Sequence, residues 1–382
     1  MKILNICAYT WEVGGPARVI YDHTKVAIKH GHQVAILSAA TTDSKPYIVP
    51  EGATLIVCKL TPVISHFFPD FSIGVYRYLQ KHINDYDIIQ CHGLFHFGSI
   101  APFLFKTNTT NIFTIHGVLD DWALQNGYLK KKLFSYLIQK KALKNASLIH
   151  VFNNDEKLNL YNYLGYQHPN VAIVPNGMQL SELTNLPPKG TFRQQFEINT
   201  DKKIVLFMGR LNAKKGLDLL LPAFQKYTVR HQDTVLVLAG PDDGYEAETK
   251  RFVADNQLDK YIKMVGMITG PTKKAALSDA TIFALPSYSE GFSIAALEAM
   301  TAGVPALVSK RIGFDGTVAQ YNAAHEVELT VESVFEGLTK MLQNPTYCQT
   351  LKTNAQQMVF ELYDINKVAV CLLDEFEKII TK

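Results

Sequence analysis

Short apolar runs recur along this 382-residue chain and alternate with amphipathic helical patterns. Each run is rich in β-branched residues and is bounded by Gly, Pro or polar residues, which is typical of parallel strands buried on both faces. The first series is MKILNICA, HQVAILSA, ATLIVCKL, DIIQCHG, NIFTIHG, SLIHVFN and VAIVPNG; the second is KKIVLFMGR, TVLVLAG, IKMVGM, TIFALPS and PALVS. Such alternation predicts the α/β class with parallel sheets.

The second series begins after Gly190, and the segment MQLSELTNLPPKGTF with its Pro-Pro-Lys-Gly turn separates the two. A chain of this length is long for one core, so two domains are expected. We predict a first domain over residues 1–180 and a second over 181–364. A last amphipathic helix over 365–382 is expected to pack back on the first domain. Both sheets would present their carboxyl ends to a central cleft between the domains.

The composition excludes several classes of protein. Hydrophobic residues make up 47% and charged residues 19%, as in ordinary globular proteins. No apolar run approaches the roughly 18 residues of a membrane span, and the N-terminal stretch is typical of a first strand, not a signal peptide. The five cysteines are scattered with no C-x-x-C pair, which favours reduced thiols in a cytoplasmic protein and argues against a zinc site.

The charge is uneven along the chain. Residues 1–180 carry 16 Lys and Arg against 11 Asp and Glu, a net charge of +5. Much of the excess lies in YLKKKLFSYLIQKKALKN, which contains Lys130, Lys131, Lys132, Lys140, Lys141 and Lys144. This stretch has two interpretations: a solvated helix over a core, or a basic amphipathic face that meets anionic lipid.

The stretch SYSEGFSIAALEAMTAGVPALVS places Glu290 and Glu298 in an otherwise small and apolar segment. It predicts a loop after a strand, a helix capped by Ser293, and a further strand. Glu290 would then lie at the carboxyl end of a strand, the edge where open α/β sheets bind ligands, and Glu298 in the second helical turn. The alternative is that both are solvated charges.

Cationic and glycine-rich strand ends share the same predicted edge. FMGRLNAKKG supplies Gly209, Arg210 and Lys215 before a helix, which suits a diphosphate but also fits a lysine-rich turn. VLAGPDDG adds Gly240. Together with the two glutamates, these strand ends predict a pocket for a nucleoside diphosphate.

The first domain carries three further candidates. The Gly14–Gly15 pair precedes a helix but lacks the G-x-G-x-x-G pattern, so a nicotinamide site is not expected. His92 and His116 end two successive strands. A single histidine there would more often be structural, but two on one edge favour at least one functional histidine.

These motifs resemble those of the retaining glycosyltransferases of family 4, which have the GT-B fold of two Rossmann-like domains facing a cleft. Glu290 and Glu298 stand at the family's Glu-x7-Glu spacing within EGF…LEA…GVP. GRLNAKKGLDLLLPAF, VPNGM and GGPARV match its other motifs, and the likeness covers nearly the whole chain. Two positions depart from it: Ser293 replaces a usual glycine, and Gln179 replaces a usual aspartate. TIHGVLDDW resembles a subgroup that builds bacterial surface polysaccharides.

The resemblance implies roles for individual residues. Glu298 would hold the ribose hydroxyls of a nucleotide sugar, and Glu290 would lie beside the donor sugar. Arg210 and Lys215 would bind the diphosphate, and His116 would contact the donor sugar. The amides of Phe292 and Ser293 would cradle the phosphate. The implied catalytic set is His116, Arg210, Lys215 and Glu290; the implied donor-binding set is Gly15, Gly209, Gly240, Met267, Gly291, Phe292, Ser293, Ile294 and Glu298.

The implied activity is transfer of a hexosyl group, with retention, from a UDP-sugar (or GDP-sugar) to a saccharide or lipid-linked saccharide in polysaccharide biosynthesis. No metal and no other cofactor is expected, because cations and a helix dipole would neutralise the diphosphate. The protein is expected to be cytoplasmic, with peripheral contact with anionic membrane as one option and without nucleic-acid partners. Two alternatives remain: a nucleotide-sugar epimerase of the same architecture, and a non-catalytic nucleotide-sugar-binding subunit.

Overall fold

The computed structural model describes residues 1–7, 15–40, 49–119, 134 and 138–381. The chain divides into two compact units. Unit 1 comprises Met1–Met178 together with Tyr363–Lys382, and unit 2 comprises Gln179–Leu362. No helix in these described ranges is both long and apolar enough to cross a bilayer.

Unit 1 is built on a seven-stranded parallel sheet in the order β3-β2-β1-β4-β5-β6-β7. Its strands are β1 Lys2–Cys7, β2 Gln33–Ala40, β3 Thr54–Lys59, β4 Ile88–His92, β5 Thr110–Thr114, β6 Leu148–Val151 and β7 Val171–Ile173. The central strands are buried along almost their whole length, which explains their continuous apolar sequence.

Helices cover both faces of this sheet. The α-helices of unit 1 are Gly15–Lys29, Ile64–Phe67, Ile73–His82, Phe97–Ile100, Lys140–Lys144, Asn154–Leu164 and Ile365–Ile380, and short 3-10 helices span Ile83–Asp85 and Ala101–Leu104. On one face, the core contains Leu4, Leu79 and Phe113. On the other, it contains Ile3 and Phe376.

The C-terminal helix Ile365–Ile380 belongs to unit 1, where it packs against the helix Gly15–Lys29. The chain enters it beside the Pro-Asn-Gly motif, since the Ile365 amide donates to the Met178 carbonyl at 3.1 Å. Gly177 is required at this crossing, because a Cβ there would lie 2.9 Å from the Ile365 Cα. The next residue, Gln179, donates its side-chain amide to Ser181 Oγ at 3.0 Å.

Unit 2 is built on a six-stranded parallel sheet in the order β10-β9-β8-β11-β12-β13. Its strands are β8 Lys203–Met208, β9 Thr234–Ala239, β10 Ile262–Gly266, β11 Ile282–Leu285, β12 Ala306–Ser309 and β13 His325–Val327. The strand series predicted from the sequence is confirmed except that it omits β13. That strand is three residues long and begins with His325 and Glu326, so it has no apolar run to reveal it.

The α-helices of unit 2 are Ser181–Thr184, Thr191–Gln195, Leu217–Thr228, Glu246–Asp255, Gly270–Asp279, Ile294–Thr301, Thr317–Tyr321, Val331–Gln343 and Pro345–Leu362, with a 3-10 helix at Ala213–Lys215. Because every strand of the sheet is parallel, the loops after β8 to β12 share one edge. This carboxyl edge carries most of the predicted site residues.

Candidate functional site

The segment from β11 to β12 folds as a strand, a loop, a helix and a strand, as its sequence predicts. The helix Ile294–Thr301 begins after Ser293, whose Oγ accepts a hydrogen bond from the Ala296 amide at 3.4 Å. Glu290 lies in the loop and Glu298 in the second turn of the helix. Both glutamates therefore lie at or near the carboxyl edge of the unit 2 sheet.

Glu290 forms an ion pair with Lys215. The Lys215 Nζ lies 2.6 Å from Glu290 Oε1, and the two side chains are only 16% and 10% exposed. Lys215 is placed there by the short turn Ala213–Lys215 that follows β8. Removal of one partner from a buried pair costs about 3–5 kcal/mol, because the other charge is left uncompensated. Glu290 is therefore not a solvated loop charge.

Glu298 forms a second ion pair, with Lys273. Lys273 Nζ donates to Glu298 Oε1, and the glutamate side chain is 15% exposed. Lys273 lies in the first turn of the helix Gly270–Asp279, which follows β10. The sequence analysis missed this lysine, although the rule that selected the other residues, position at a strand's carboxyl end, applies to it as well.

Arg210 also forms an ion pair, but unlike Lys215 its side chain is largely exposed to solvent. Its Nη1 donates to Asp243 Oδ2 at 2.8 Å, but the arginine side chain is 66% exposed. Such an exposed pair contributes little to stability, typically about 0–1 kcal/mol. The guanidinium can therefore turn from Asp243 to an anionic ligand at little cost.

The ends of β8 and β9 meet at two glycines. A Cβ on Gly240 would lie 1.8 Å from the Gly209 carbonyl oxygen, so no larger residue fits at Gly240 without a backbone shift. The Gly240 amide donates to the Gly266 carbonyl at 2.8 Å, which joins the end of β10 to the same rim. Met267 follows directly and is strongly exposed. Gly209, Gly240 and Met267 therefore lie together along the carboxyl edge.

The predicted phosphate cradle needs one correction. The Ser293 amide donates to the Ile312 carbonyl at 3.0 Å, so it is already engaged. The Phe292 ring is buried and packs on Phe314, with centroids 4.6 Å apart. The first-turn amides of an α-helix lack intrahelical partners, so Ile294 and Ala295 are better placed than Ser293 to offer N–H groups to an anion.

In unit 1, a chain of hydrogen bonds links the ends of three adjacent strands. His92 Nε2 lies 3.0 Å from Asn5 Oδ1, and His92 Nδ1 lies 3.0 Å from His116 Nε2. An amide oxygen only accepts, so neutral His92 donates through Nε2 and accepts through Nδ1. His116 must then carry its proton on Nε2, which leaves its Nδ1 as a hydrogen-bond acceptor.

His116 lies in a strained turn held by Glu156. His116 and Gly117 have φ angles of 60° and 70°, a region that non-glycine residues rarely adopt. The buried Glu156 carboxylate accepts the Gly117 amide through one oxygen and the Phe152 amide through the other, the second at 2.6 Å. Glu156 is thus a positioning residue for His116. This role could not be predicted from the sequence, because the Gly117 amide comes from the distant loop after β5.

Gly15 begins the helix Gly15–Lys29, while Gly14 lies outside the described residues.

Nothing in the described ranges brings three His, Cys, Asp or Glu side chains close enough to hold a metal ion. All five cysteines are free thiols.

Unit 1 buries several neutral histidines near the carboxyl edge. Burial is the largest cause that lowers the pKa of each: His23 and His116 to about 3, His96 and His150 to about 4, and His92 well below its usual range. Between about pH 4 and 6.5, these histidines therefore bind more protons in the unfolded chain than in the folded protein.

We expect stability to fall as the pH decreases from about 6.5 towards 4, by about 1.4 kcal/mol per pH unit for each buried histidine. Urea unfolding measured at pH 7, 6 and 5 gives this slope. His96→Asn should reduce the slope by one histidine's share, whereas the exposed control His30→Asn should leave it unchanged. Equal slopes in wild type and both variants would contradict the assignment.

Two family models match this chain. The model described as Glycosyltransferase Family 4 matches residues 13–182, and the model described as Glycosyl transferases group 1 matches residues 188–358. An uncharacterized glycosyltransferase of Methanocaldococcus jannaschii is 26% identical over 400 residues, covering 96% of each protein. The phosphatidyl-myo-inositol mannosyltransferase of Mycobacterium leprae is 23% identical over 406 residues, covering 100% of this chain and 98% of the relative.

Solved structures agree on the fold. Sucrose-phosphate synthase from Thermosynechococcus elongatus superposes with a TM-score of 0.81 at 20% identity, covering 100% of this chain and 99% of that one. Anabaena HepE in complex with UDP-glucose superposes with a TM-score of 0.77 at 17% identity, covering 99% and 100%. Both predicted Rossmann-like sheets are confirmed. The chain belongs to the family 4 glycosyltransferases and has the GT-B fold.

Proposed function

We propose that this glycosyltransferase moves a hexosyl group from a nucleoside diphosphate sugar, with UDP-sugar favoured, to a saccharide or lipid-linked saccharide, with retention of anomeric configuration. The observation that carries the proposal is the pair of lysine–glutamate contacts, Lys215–Glu290 and Lys273–Glu298, on one edge of unit 2. The UDP-glucose complex of HepE supports the choice of donor.

Glu298 would accept hydrogen bonds from the two ribose hydroxyls. A carboxylate can accept two donors at once, and Lys273 already holds one of its oxygens. The Lys273 side chain is 30% exposed, so the ion pair is not fully enclosed by protein. Lys273 would therefore orient the Glu298 carboxylate for binding the ribose hydroxyls.

Arg210 and Lys215 would bind the diphosphate together with the first amides of the helix Ile294–Thr301. The helix N-terminus carries partial positive charge, and Lys215 is already fixed by Glu290. As the glycosidic bond to the diphosphate breaks, negative charge develops on the leaving group. Fixed cations stabilise that charge without reorganisation, which is the main catalytic effect we propose. The same groups provide the reason to propose transfer without a metal.

His116 would contact the donor sugar through its unprotonated Nδ1. The tautomer inferred from the Asn5–His92–His116 chain makes this nitrogen an acceptor for a sugar hydroxyl. Glu156 keeps the ring in place through the Gly117 amide. The histidine thus serves as a neutral orienting group and not as a cation.

The acceptor side of the proposal is a saccharide or a lipid-linked saccharide. By its name, the mycobacterial relative acts on a phosphatidyl-inositol lipid. Lys140, Lys141 and Lys144 are exposed on a short helix whose Ala142 and Leu143 pack into the core. This arrangement fits a solvated helix and leaves its charges accessible to anionic lipid. Lys130, Lys131 and Lys132 lie outside the described residues.

The two alternatives differ in their products. An epimerase of this architecture would convert one sugar nucleotide into another, whereas a non-catalytic subunit would bind the donor without turnover. Only a transferase releases free nucleoside diphosphate. The proposal can therefore be tested by incubating the protein with UDP-, GDP- and ADP-sugars and measuring the nucleotide products.

Arg210→Ala and Lys215→Ala are each expected to slow release of UDP from a UDP-sugar by about 10²–10³-fold, the usual effect of losing one preorganised charge-stabilising donor. Lys202→Ala is the matched control, since that lysine lies at the opposite, amino end of β8. Rates within a few-fold of wild type for both variants would show that these cations do not bind the diphosphate.

Lys273→Ala is expected to weaken UDP binding through its effect on Glu298. Calorimetry should show a loss of about tenfold or more for Glu298→Ala, because hydrogen bonds to charged groups contribute about 1.5–3 kcal/mol. The double variant should bind no more weakly than Glu298→Ala alone. The control Lys274→Ala, on the same helix, should bind normally. Additive losses would mean that Lys273 acts independently of Glu298.

A further inference from the structure

A tight turn over the carboxyl edge of unit 1 contains an unusual aspartate. The Phe71 amide donates to the Phe68 carbonyl at 3.1 Å, which closes a four-residue turn with Pro69 second and Asp70 third. Asp70 has a φ of 58°. Turns that need a positive φ at the third position favour Gly or Asn. An aspartate is therefore not the residue that backbone geometry alone selects.

Two hydrogen bonds fix where the turn lies. The Phe97 amide, at the start of the helix after β4, donates to the Pro69 carbonyl at 2.9 Å, and the Thr61 amide, just after β3, donates to the Phe71 carbonyl at 2.9 Å. The turn therefore spans the carboxyl ends of the unit 1 strands. This is the edge that carries His92 and His116, where open α/β sheets bind ligands.

The Asp70 carboxyl has neither an ion pair nor a hydrogen bond with any residue that the structure describes. It is partly buried, and burial raises the pKa of its carboxyl to about 6. Burying an unpaired carboxylate costs free energy, and the left-handed backbone adds to that cost. Among the described residues, the fold shows no contact of this carboxyl that would offset these costs, so the carboxyl is available to a ligand.

Backbone strain is concentrated on this edge. Eight non-glycine residues of the described chain have positive φ, and four of them lie in loops here: Val63, Asp70, Phe95 and His116. Residues in such conformations cluster at ligand-binding sites, because a folded scaffold must hold them. Three of these four residues are not Asp70, so the concentration of strain does not depend on the unpaired carboxyl.

Asp70 lies in the chain between two phenylalanines, Phe68 and Phe71, whose rings belong to an aromatic cluster. Phe68 and Phe71 contact each other and the Phe97 ring, with centroids 6.2, 5.9 and 4.6 Å apart, and Phe68 also contacts Phe134 at 5.1 Å. Phe68 and Phe71 are only partly buried. A sugar ring presents hydroxyls and C–H groups. A carboxylate accepts hydrogen bonds from the hydroxyls, and an aromatic face packs on the C–H groups.

We infer that Asp70, with the rings of Phe68 and Phe71, forms a subsite that binds the hydroxyls of the saccharide acceptor. The inference rests on the proposed transfer from a nucleotide sugar, and it assigns a residue that binds the saccharide acceptor. In this subsite, two hydroxyls of one sugar donate to the carboxylate while the ring face covers its apolar side. The sugar hydroxyls supply hydrogen-bond donors to a carboxyl that has none among the described residues.

The test uses Asp70→Asn and Asp70→Gly, both of which tolerate the positive φ. The control Asp85→Asn makes the same chemical change on the amino side of β4. UDP release from UDP-glucose is measured in water alone and with the methyl glycosides of glucose, mannose, galactose and N-acetylglucosamine. We expect at least one glycoside to accelerate UDP release by the wild-type protein.

Asp70→Asn should raise the KM for that glycoside by about 10- to 100-fold, the loss expected for hydrogen bonds to a charged group. UDP release in water, UDP affinity and the Tm should not fall, and Asp70→Gly should raise the Tm because it removes an unpaired buried carboxyl. A structural role for Asp70 would instead lower the Tm and slow release in water as well.

Three outcomes would overturn the inference: an unchanged KM in Asp70→Asn, an equal change in Asp85→Asn, or donor hydrolysis by the wild-type protein that no glycoside accelerates. In each of these three outcomes, release of UDP from UDP-glucose by the wild-type protein would still support the proposed function. Failure to bind or turn over any nucleotide sugar would instead contradict the proposed function itself.

Discussion

The buried contact between Lys215 and Glu290 is the interaction on which the rest of unit 2 depends. Their charged atoms lie 2.6 Å apart with little exposure to solvent. Neither charge is stable in such a place alone, so the pair fixes the loop after β8 against the loop after β11. Lys273 and Glu298 form a second ion pair. Two cations and two anions are thus already positioned at the carboxyl edge of the unit 2 sheet in the free protein. Such preorganisation is what stabilisation of a leaving diphosphate requires.

The strand ends of unit 1 that carry His92 and His116 are joined by hydrogen bonds between uncharged side chains, whereas the rim of unit 2 carries ion pairs. The unit 1 strand ends carry the chain Asn5–His92–His116, and burial keeps both histidines uncharged at neutral pH. The Glu156 carboxylate accepts the backbone amides of Gly117 and Phe152 and so holds the turn that carries His116. We propose that the neutral His116 would hydrogen-bond a sugar hydroxyl, while the cations of unit 2 would bind the diphosphate.

The sequence predicted the elements that depend on local pattern. Apolar runs revealed the strands, apart from β13, and Ser293 marked the start of the helix that carries Glu298. It could not predict which lysine meets which glutamate, because Lys273 and Glu298 are brought together by the order of strands in the sheet. The same holds for Asp70, since only the folded turn shows its positive φ and the absence of a partner for its carboxyl among the described residues. Pairing across distant loops is a property of the fold and not of the local sequence.

In the proposed site, Glu298 binds the ribose hydroxyls of a nucleoside diphosphate. This role can be measured by calorimetry with UDP and with UDP lacking the 2′ and 3′ hydroxyls, on wild type and on Glu298→Ala. We expect loss of the hydroxyls to weaken binding to the wild-type protein by about 10- to 100-fold, as for hydrogen bonds to a charged group, and to have no further effect on Glu298→Ala. Equal affinity of the wild-type protein for both nucleotides, or the same loss in both proteins, would contradict this role of Glu298.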